Sequence, residues 1–248
     1  MLTLKGVTKR FGAQVVLDEI DLEIPTGKIT SIIGPSGEGK SVLLKHMIGL
    51  LRPDRGSVLV DGEDIAKLNR RKLNKMREQF GMLFQNAALF DSMTVYENVA
   101  FPLEEKTALP AREIRERVHQ ALATVGLPGV ERKYPDELSG GMKKRVGLAR
   151  VLVMNPRIIL FDEPTTGLDP IICSAIHHMI RETHEKFGFT AVVVSHEIPE
   201  IFDISDRVAV LHRGKIVAVG PPEAIELSPD PVVRQFISGS LDGPIRVA

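Results

Sequence analysis

Hydrophobic positions along this chain change period several times. Three short runs, 28–33, 157–161 and 190–194, are apolar and rich in β-branched residues, and read as parallel strands covered on both faces. The first feeds directly into a glycine-rich stretch, after which 40–50 reads as a helix. Between the other two, Ile172, Ile176, Met179, Ile180 and Thr183 recur at helical spacing. Strands alternating with helices predict an α/β layered core. From about 88 to 150 the strand signal stops. Ile114, Val118, Ala121, Leu122 and Val125 form one helical stripe there. A second helix is predicted from Ser139, with Met142, Val146, Ala149 and Val153 on one face. This stretch predicts a helical subdomain inserted into the core. The segments 2–7, 15–24 and 57–60 read as antiparallel strands at the sheet's edge. Beyond Pro221, short helical pieces are separated by prolines, and 238–244 reads as loop.

Composition narrows the partners more than the fold. Of 248 residues, 43% are apolar and 26% charged, and 32 Lys+Arg balance 32 Asp+Glu. Zero net charge gives no basic surface for non-specific nucleic-acid binding, so nucleic acid is not expected as a partner. Cys173 is the only cysteine, which rules out an intrachain disulfide and suits a reducing compartment. The first residues lack the charged-then-apolar pattern of a signal peptide. No apolar run approaches the roughly 18 residues a membrane helix needs, so any service to a membrane is expected to go through a partner.

The candidate chemistry lies at the ends of the predicted strands. Gly34-Pro35-Ser36-Gly37-Glu38-Gly39-Lys40-Ser41 fits the phosphate-cradling P-loop pattern between a strand and a helix. Its glycines turn backbone N–H groups onto phosphates, Lys40 neutralises the β- and γ-phosphates, and the Ser41 hydroxyl suits Mg²⁺. Asp162 and Glu163 end an apolar strand at its carboxyl edge, where open α/β sheets bind ligands. Asp162 suits Mg²⁺, and Glu163 the role of general base. His196 follows the next strand and can reach a γ-phosphate. Ser139 fits an N-cap, and Gly140 and Gly141 expose a second anion-binding helix start. One chain holds no second P-loop for that site to serve. A two-fold dimer, in which it caps the γ-phosphate held by the other copy, resolves this. Phe11 can stack on adenine. Gln85 ends the predicted strand 80–84 and can sense Mg²⁺ and γ-phosphate. The apolar, loop-like 87–96 fits either a groove for another protein's helix or the lobe's own core.

These residues together resemble the nucleotide-binding subunit of an ABC transporter, from Leu2 to about Gly239. The resemblance implies a RecA-like P-loop ATPase core with an N-terminal antiparallel β edge, spanning 1–235 with its helical insertion at about 88–150. Residues 236–248 are then a tail that docks a subunit or partner. Gly34 through Ser41 resembles the family's Walker A, Gln85 its Q-loop, and Leu138 through Met142 its signature. Ile158 through Asp162 resembles Walker B with Glu163 catalytic, Gly167-Leu168-Asp169 the D-loop, His196 the switch histidine and Phe11 the aromatic A-loop position. The resemblance implies ATP and Mg²⁺ as cofactors, Lys40, Gln85, Glu163 and His196 as catalytic groups, and Ser41, Gln85 and Asp162 around the metal. ATP contacts are then expected from Phe11, residues 34–42, Gln85, Ser139, Gly140, Gly141, Asp169 and His196. It further implies a head-to-tail homodimer with ATP sandwiched between copies, and an integral membrane permease beside the Q-loop.

Met142 followed by Lys143-Lys144-Arg145, with the 230–237 and 242–244 segments, resembles the ATPases of Mla phospholipid-trafficking and Mkl-type systems. That finer resemblance implies a substrate-capturing lipid-binding protein, a small STAS-domain protein and a place at the cytoplasmic face of the bacterial inner membrane. An importer ATPase for amino acids or metal ions carries the same motifs, and gene neighbours would separate the two. A chromosome-maintenance ATPase would need a long heptad insertion, and a translation-associated relative two cassettes; neither is present. Two positions depart from the family pattern. Val42 replaces a hydroxyl residue that helps bind the α-phosphate. Glu38 puts a carboxylate into the loop, and is expected to point toward the dimer interface and pair with a basic residue there.

Overall fold

The computed structural model describes residues 1–246; the last two residues of the expected tail lie outside them. In chain order the strands and helices are β1 (Leu2–Phe11), β2 (Gln14–Ile24), β3 (Ile29–Ile33), α1 (Lys40–Met47), β4 (Arg55–Val60), β5 (Glu63–Asp64), α2 (Arg70–Arg77) and β6 (Phe80–Leu83). Then come α3 (Val95–Lys106), α4 (Ala111–Thr124), α5 (Gly140–Leu152), β7 (Ile158–Asp162), α6 (Pro170–Phe187) and β8 (Thr190–Val194). The chain continues through α7 (Glu200–Ile204), β9 (Arg207–His212), β10 (Lys215–Gly220), α8 (Pro222–Glu226) and α9 (Pro231–Ser238). They fall into two compact units, one of Met1–Gln79 with Thr190 onward, the other Phe80–Phe189.

The first unit contains two sheets. β3 and β8 are buried at every position, as an uninterrupted apolar run requires when both faces are covered. They pair in parallel, and β3 also pairs in parallel with β9, whose other neighbour is antiparallel β10. β2 instead alternates, with Leu17, Ile20, Leu22 and Ile24 buried, Glu19, Asp21 and Glu23 exposed and Asp18 half-buried. Such a strand has one wet face. The N-terminal antiparallel strands accordingly form a four-stranded sheet of their own, β2-β1-β4-β5, rather than extending the parallel strands. Helix α1 stops at Met47, short of the expected residue 50, where Gly49 takes a left-handed turn at φ 70.

In the second unit β6 and β7 pair in parallel, and α3, α4 and α5 pack on one another. No strand falls within 88–150. The α4 stripe is buried at Ile114, Val118, Ala121 and Leu122, as its periodicity predicts. Helix α3 opens on a reciprocal capping box between Thr94 and Glu97. Helix α6 opens on Asp169 with Pro170 in its first turn, and closes on Gly188 at φ 67. Among the described residues no helix is long and apolar enough to cross a membrane.

Candidate active site

In the first unit, β3 ends at Ile33 and the chain turns through 34–39 into α1. Gly34 is forced: at φ 150, an added Cβ would lie 2.1 Å from the Leu211 carbonyl oxygen. Lys40 is buried, and its Nζ donates to the carbonyls of Gly34 and Pro35, each at 2.8 Å. The lysine thus folds the loop around its own ammonium. Gly39, the residue before α1, supplies no side-chain cap, and the first turn holds no acidic residue. With no side-chain cap from Gly39, the helix's positive dipole end faces the loop, as an anion site requires. Ser36 and Gly37 are exposed, and Ser41 is half-buried as the second residue of α1.

Glu38 is tied to the end of β9 and the turn after it. Its carboxylate is engaged within its own chain, accepting from the Arg213 backbone N–H and lying 3.2 Å from His212 Nδ1. His212 ends β9 and Arg213 begins the β9–β10 turn, and the same end of β9 sets the Leu211 carbonyl against Gly34. The carboxylate thus meets a backbone donor and an imidazole within its own unit.

Phe11 lies at the β1–β2 hairpin with 48% of its surface exposed, and Lys9 Nζ sits 5.5 Å from its ring centroid. An exposed aromatic here offers a stacking face. Parallel register aligns Ile32 with Val194, and Ser195 N–H donates to the Ile32 carbonyl at 3.3 Å. The P-loop and exposed His196 consequently leave neighbouring strands at one carboxyl edge. Val42 is half-buried in α1, and its carbonyl accepts from His46 Nδ1 at 2.7 Å, which sets that imidazole's neutral tautomer. Burial, the largest influence, lowers the His46 pKa from its ordinary value.

The second unit repeats this edge logic. Parallel register pairs Leu83 with Phe161, so Gln85 leaves the same carboxyl edge as Asp162 and Glu163. Asp162 and Glu163 are half-buried, and Glu163 sits at φ 48, a left-handed conformation costing about 1 kcal/mol or more. Thr166 Oγ1 donates to Glu163 Oε2 at 3.0 Å and orients that carboxylate. Gln85 is exposed in a turn whose Ala87 and Ala88 are also left-handed, at φ 57 and 48. Segment 87–96 contributes to the lobe's own core at some positions and leaves others exposed. Ala87 and Val95 are buried, while Phe90 is 42% exposed and its ring packs 5.0 Å from that of Phe101.

Ser139 caps α5 as expected, accepting from Met142 N–H at 3.3 Å. The two glycines after it differ. Gly140 is exposed, whereas Gly141 is buried and a Cβ there would stand 2.7 Å from Ile172 Cγ2. Asp169 caps α6, its Oδ1 accepting from Ile171 and Ile172 N–H at 3.1 Å each. The signature glycines and the D-loop end of α6 therefore form one packed corner of this unit.

Several residues at these sites escaped sequence reasoning: Thr166, Lys144, Arg150, and His212 with Arg213. Lys144 donates to the Gln85 carbonyl, and Arg150 to those of Ala87 and Ala88. Only the threonine, three residues after a proposed base, carried a local signal. Lys144 and Arg150 act on backbone carbonyls, and Arg213 through its own backbone N–H, all across long separations in sequence that leave no imprint on side-chain pattern.

The ABC transporter family model matches residues 17–166. The chain is 46% identical, over 98% of its length, to the "Probable ribonucleotide transport ATP-binding protein mkl" of Mycobacterium leprae, covering 70% of that protein. It is 44% identical, over 99% of its length, to the "Intermembrane phospholipid transport system ATP-binding protein MlaF" of Escherichia coli K12, covering 91% of it. Among solved structures it resembles the ATP-binding cassette MJ0796, a dimer in a post-hydrolysis state bound to ADP and Pi. That likeness has a TM-score of 0.81 at 34% identity, covering 90% of this chain and 99% of that one. An α/β P-loop fold, an uncapped helix start beyond it and near-full-length relatives converge: this chain belongs to the ABC transporter family, as an ATP-binding domain.

Proposed function

We propose that the chain is the ATP-hydrolysing subunit of a transporter that moves phospholipid between or across bacterial envelope membranes. The observation that carries the ATPase reading is the buried Lys40 held at the centre of a P-loop, ahead of a helix start free of side-chain capping. For phospholipid, the support is likeness to MlaF, of which the chain spans 91%.

The reaction is in-line attack of water on the γ-phosphate. Lys40 neutralises charge on the β- and γ-phosphates, and the N–H groups opening α1 hold phosphate oxygens. Glu163, held by Thr166, takes the proton of the attacking water. His196 donates to the γ-phosphate, and Phe11 stacks on adenine. The Ser139 hydroxyl and the N–H groups of Gly140 and Gly141 cap the γ-phosphate of a second copy, and Asp169, the N-cap of α6, contacts the nucleotide from the same corner. Ser41, Gln85 and Asp162 offer a hydroxyl, an amide carbonyl and a carboxylate, an all-oxygen set suited to Mg²⁺. When bound, that ion supplies charge neutralisation at the phosphate oxygens.

A homodimer sandwiching ATP, engaged with an integral membrane permease at the cytoplasmic face of the inner membrane, completes the proposal. A lipid-binding capture protein and a small STAS-domain protein are the further partners it expects. Two measurements test it. Glu163→Gln should bind ATP yet stall hydrolysis, and steady rapid turnover by that variant would remove Glu163 as base. Purification of the native complex, with mass spectrometry of what it carries, should find phospholipid. A nucleotide, amino acid or metal-ion cargo in its place would overturn the lipid assignment and leave the ATPase reading intact.

A further inference from the structure

The turn that carries Gln85 is held from outside by helix α5. Ala87 and Ala88 are consecutive left-handed residues without glycine's freedom. Their carbonyls accept from one guanidinium, Ala87 O from Arg150 Nη2 at 2.6 Å and Ala88 O from Nη1 at 2.8 Å. The buried Lys144, earlier on the same helix, donates to the Gln85 carbonyl. Between these cations, Gly147 lets the helix reach the turn: a Cβ there would lie 2.8 Å from Leu83 Cδ1 and 3.1 Å from Ala87 Cβ. Phe90 flanks the arrangement, with Arg150 Cζ 6.0 Å from its ring centroid. A planar fork can span two adjacent carbonyls, which an ammonium cannot. The helix bearing both cations opens at Ser139.

We propose that Lys144 and Arg150 are positioning residues for ATP turnover. They set the conformation of the 85–88 turn, and with it the placement of Gln85, from the helix whose N-terminus is the signature Ser139-Gly140-Gly141. The proposal rests on the reading of Gln85 as a γ-phosphate sensor. A displacement of the turn is then felt at the signature end through one rigid helix.

The test uses Arg150→Met, Arg150→Lys and Lys144→Met in the assembled transporter, each alone and combined with Gln85→Ala. Steady-state kinetics with Mg-ATP, hydrogen exchange over residues 84–90 and the thermal midpoint are read for each. Arg150→Met should lower kcat about tenfold, the scale of losing hydrogen bonds to a charged group. KM should stay within about twofold, as when an interaction acts only in the transition state. Exchange at the Ala87 amide, bonded to the Phe84 carbonyl at 2.8 Å, should rise. Arg150→Lys should fall between wild type and Arg150→Met. In the Gln85→Ala background the same substitutions should raise exchange but change kcat little further. Equal kcat losses with and without Gln85, unaltered exchange, or losses that follow the thermal midpoint alone would overturn the proposal. Normal turnover by Gln85→Ala would instead sink the sensor reading and the proposal with it, and the exchange data would tell that failure from the first.

Discussion

Gly141→Ala separates two reasons for a glycine in the signature. An alanine keeps the N–H that an anion would use, so the substitution probes packing. Its Cβ would stand 2.7 Å from Ile172 Cγ2, where ordinary contact begins at 3.4 Å, so about 0.7 Å of overlap must be relieved. Ile172 cannot yield freely, because its own N–H is tied to the Asp169 cap that starts α6. Overpacking of this kind costs about 1–3 kcal/mol. Replacing a helical glycine by alanine returns up to about 1 kcal/mol, and less in the first turn. The net expectation is a loss of about 1–2 kcal/mol in urea unfolding. The decisive comparison uses Ile172→Ala, which removes the clashing methyl. In that background Gly141→Ala should turn neutral or stabilising by up to about 1 kcal/mol. An equal loss in both backgrounds would refute the packing argument.

Other outcomes follow from the first unit. Lys40→Ala should lose nucleotide affinity in an equilibrium binding assay and also loosen the loop whose Gly34 and Pro35 carbonyls it holds; unchanged ATP binding would overturn the P-loop assignment. Glu38→Gln keeps an acceptor for Arg213 N–H while removing a negative charge, so it should bind ATP at least as tightly as wild type, whereas Glu38→Ala should bind more weakly than Glu38→Gln. Identical affinities for the two would show that the tie to the β9–β10 turn does not matter. His46 is buried neutral, with Nε2 lacking a hydrogen-bond partner. Its pKa is lowered by burial from 6.5, so the unfolded chain binds the extra proton first and stability should fall as pH drops below 6.5. His46→Leu should flatten that slope in denaturation series above the carboxylate range; an unchanged slope would assign the effect elsewhere.

The strands around the site were legible because burial on both faces leaves an unmistakable composition. Residues 190–194 read as a strand and form one, and β3 and β7 differ from expectation by a residue at their ends. Helix α4 was visible in its stripe, and Ser139 in its position before an apolar helical face. Helix α3 was not read individually, since its apolar positions crowd together and Pro102 interrupts the pattern. The N-terminal strands were recognised, but their membership in a separate sheet depends on pairing that period-two alternation does not specify. Glu38 was legible only in part. Its chemistry invited a basic side chain, and the fold supplied the His212 imidazole together with a backbone N–H from the β9–β10 turn.

By itself the sequence determined which groups the phosphate reading rests on, because a P-loop, an acidic strand end and a capped glycine pair are local patterns recognised from spacing along the chain. The tertiary structure alone decided how those groups are held. Lys144 and Arg150 clamp the Gln85 turn, the β9–β10 turn braces the P-loop, and Ile172 requires the second signature glycine. Each of these depends on backbone atoms or close approaches between segments far apart in sequence. Backbone carbonyls and N–H groups are the same at every residue, so nothing in the order of side chains announces which of them a distant cation or carboxylate will meet.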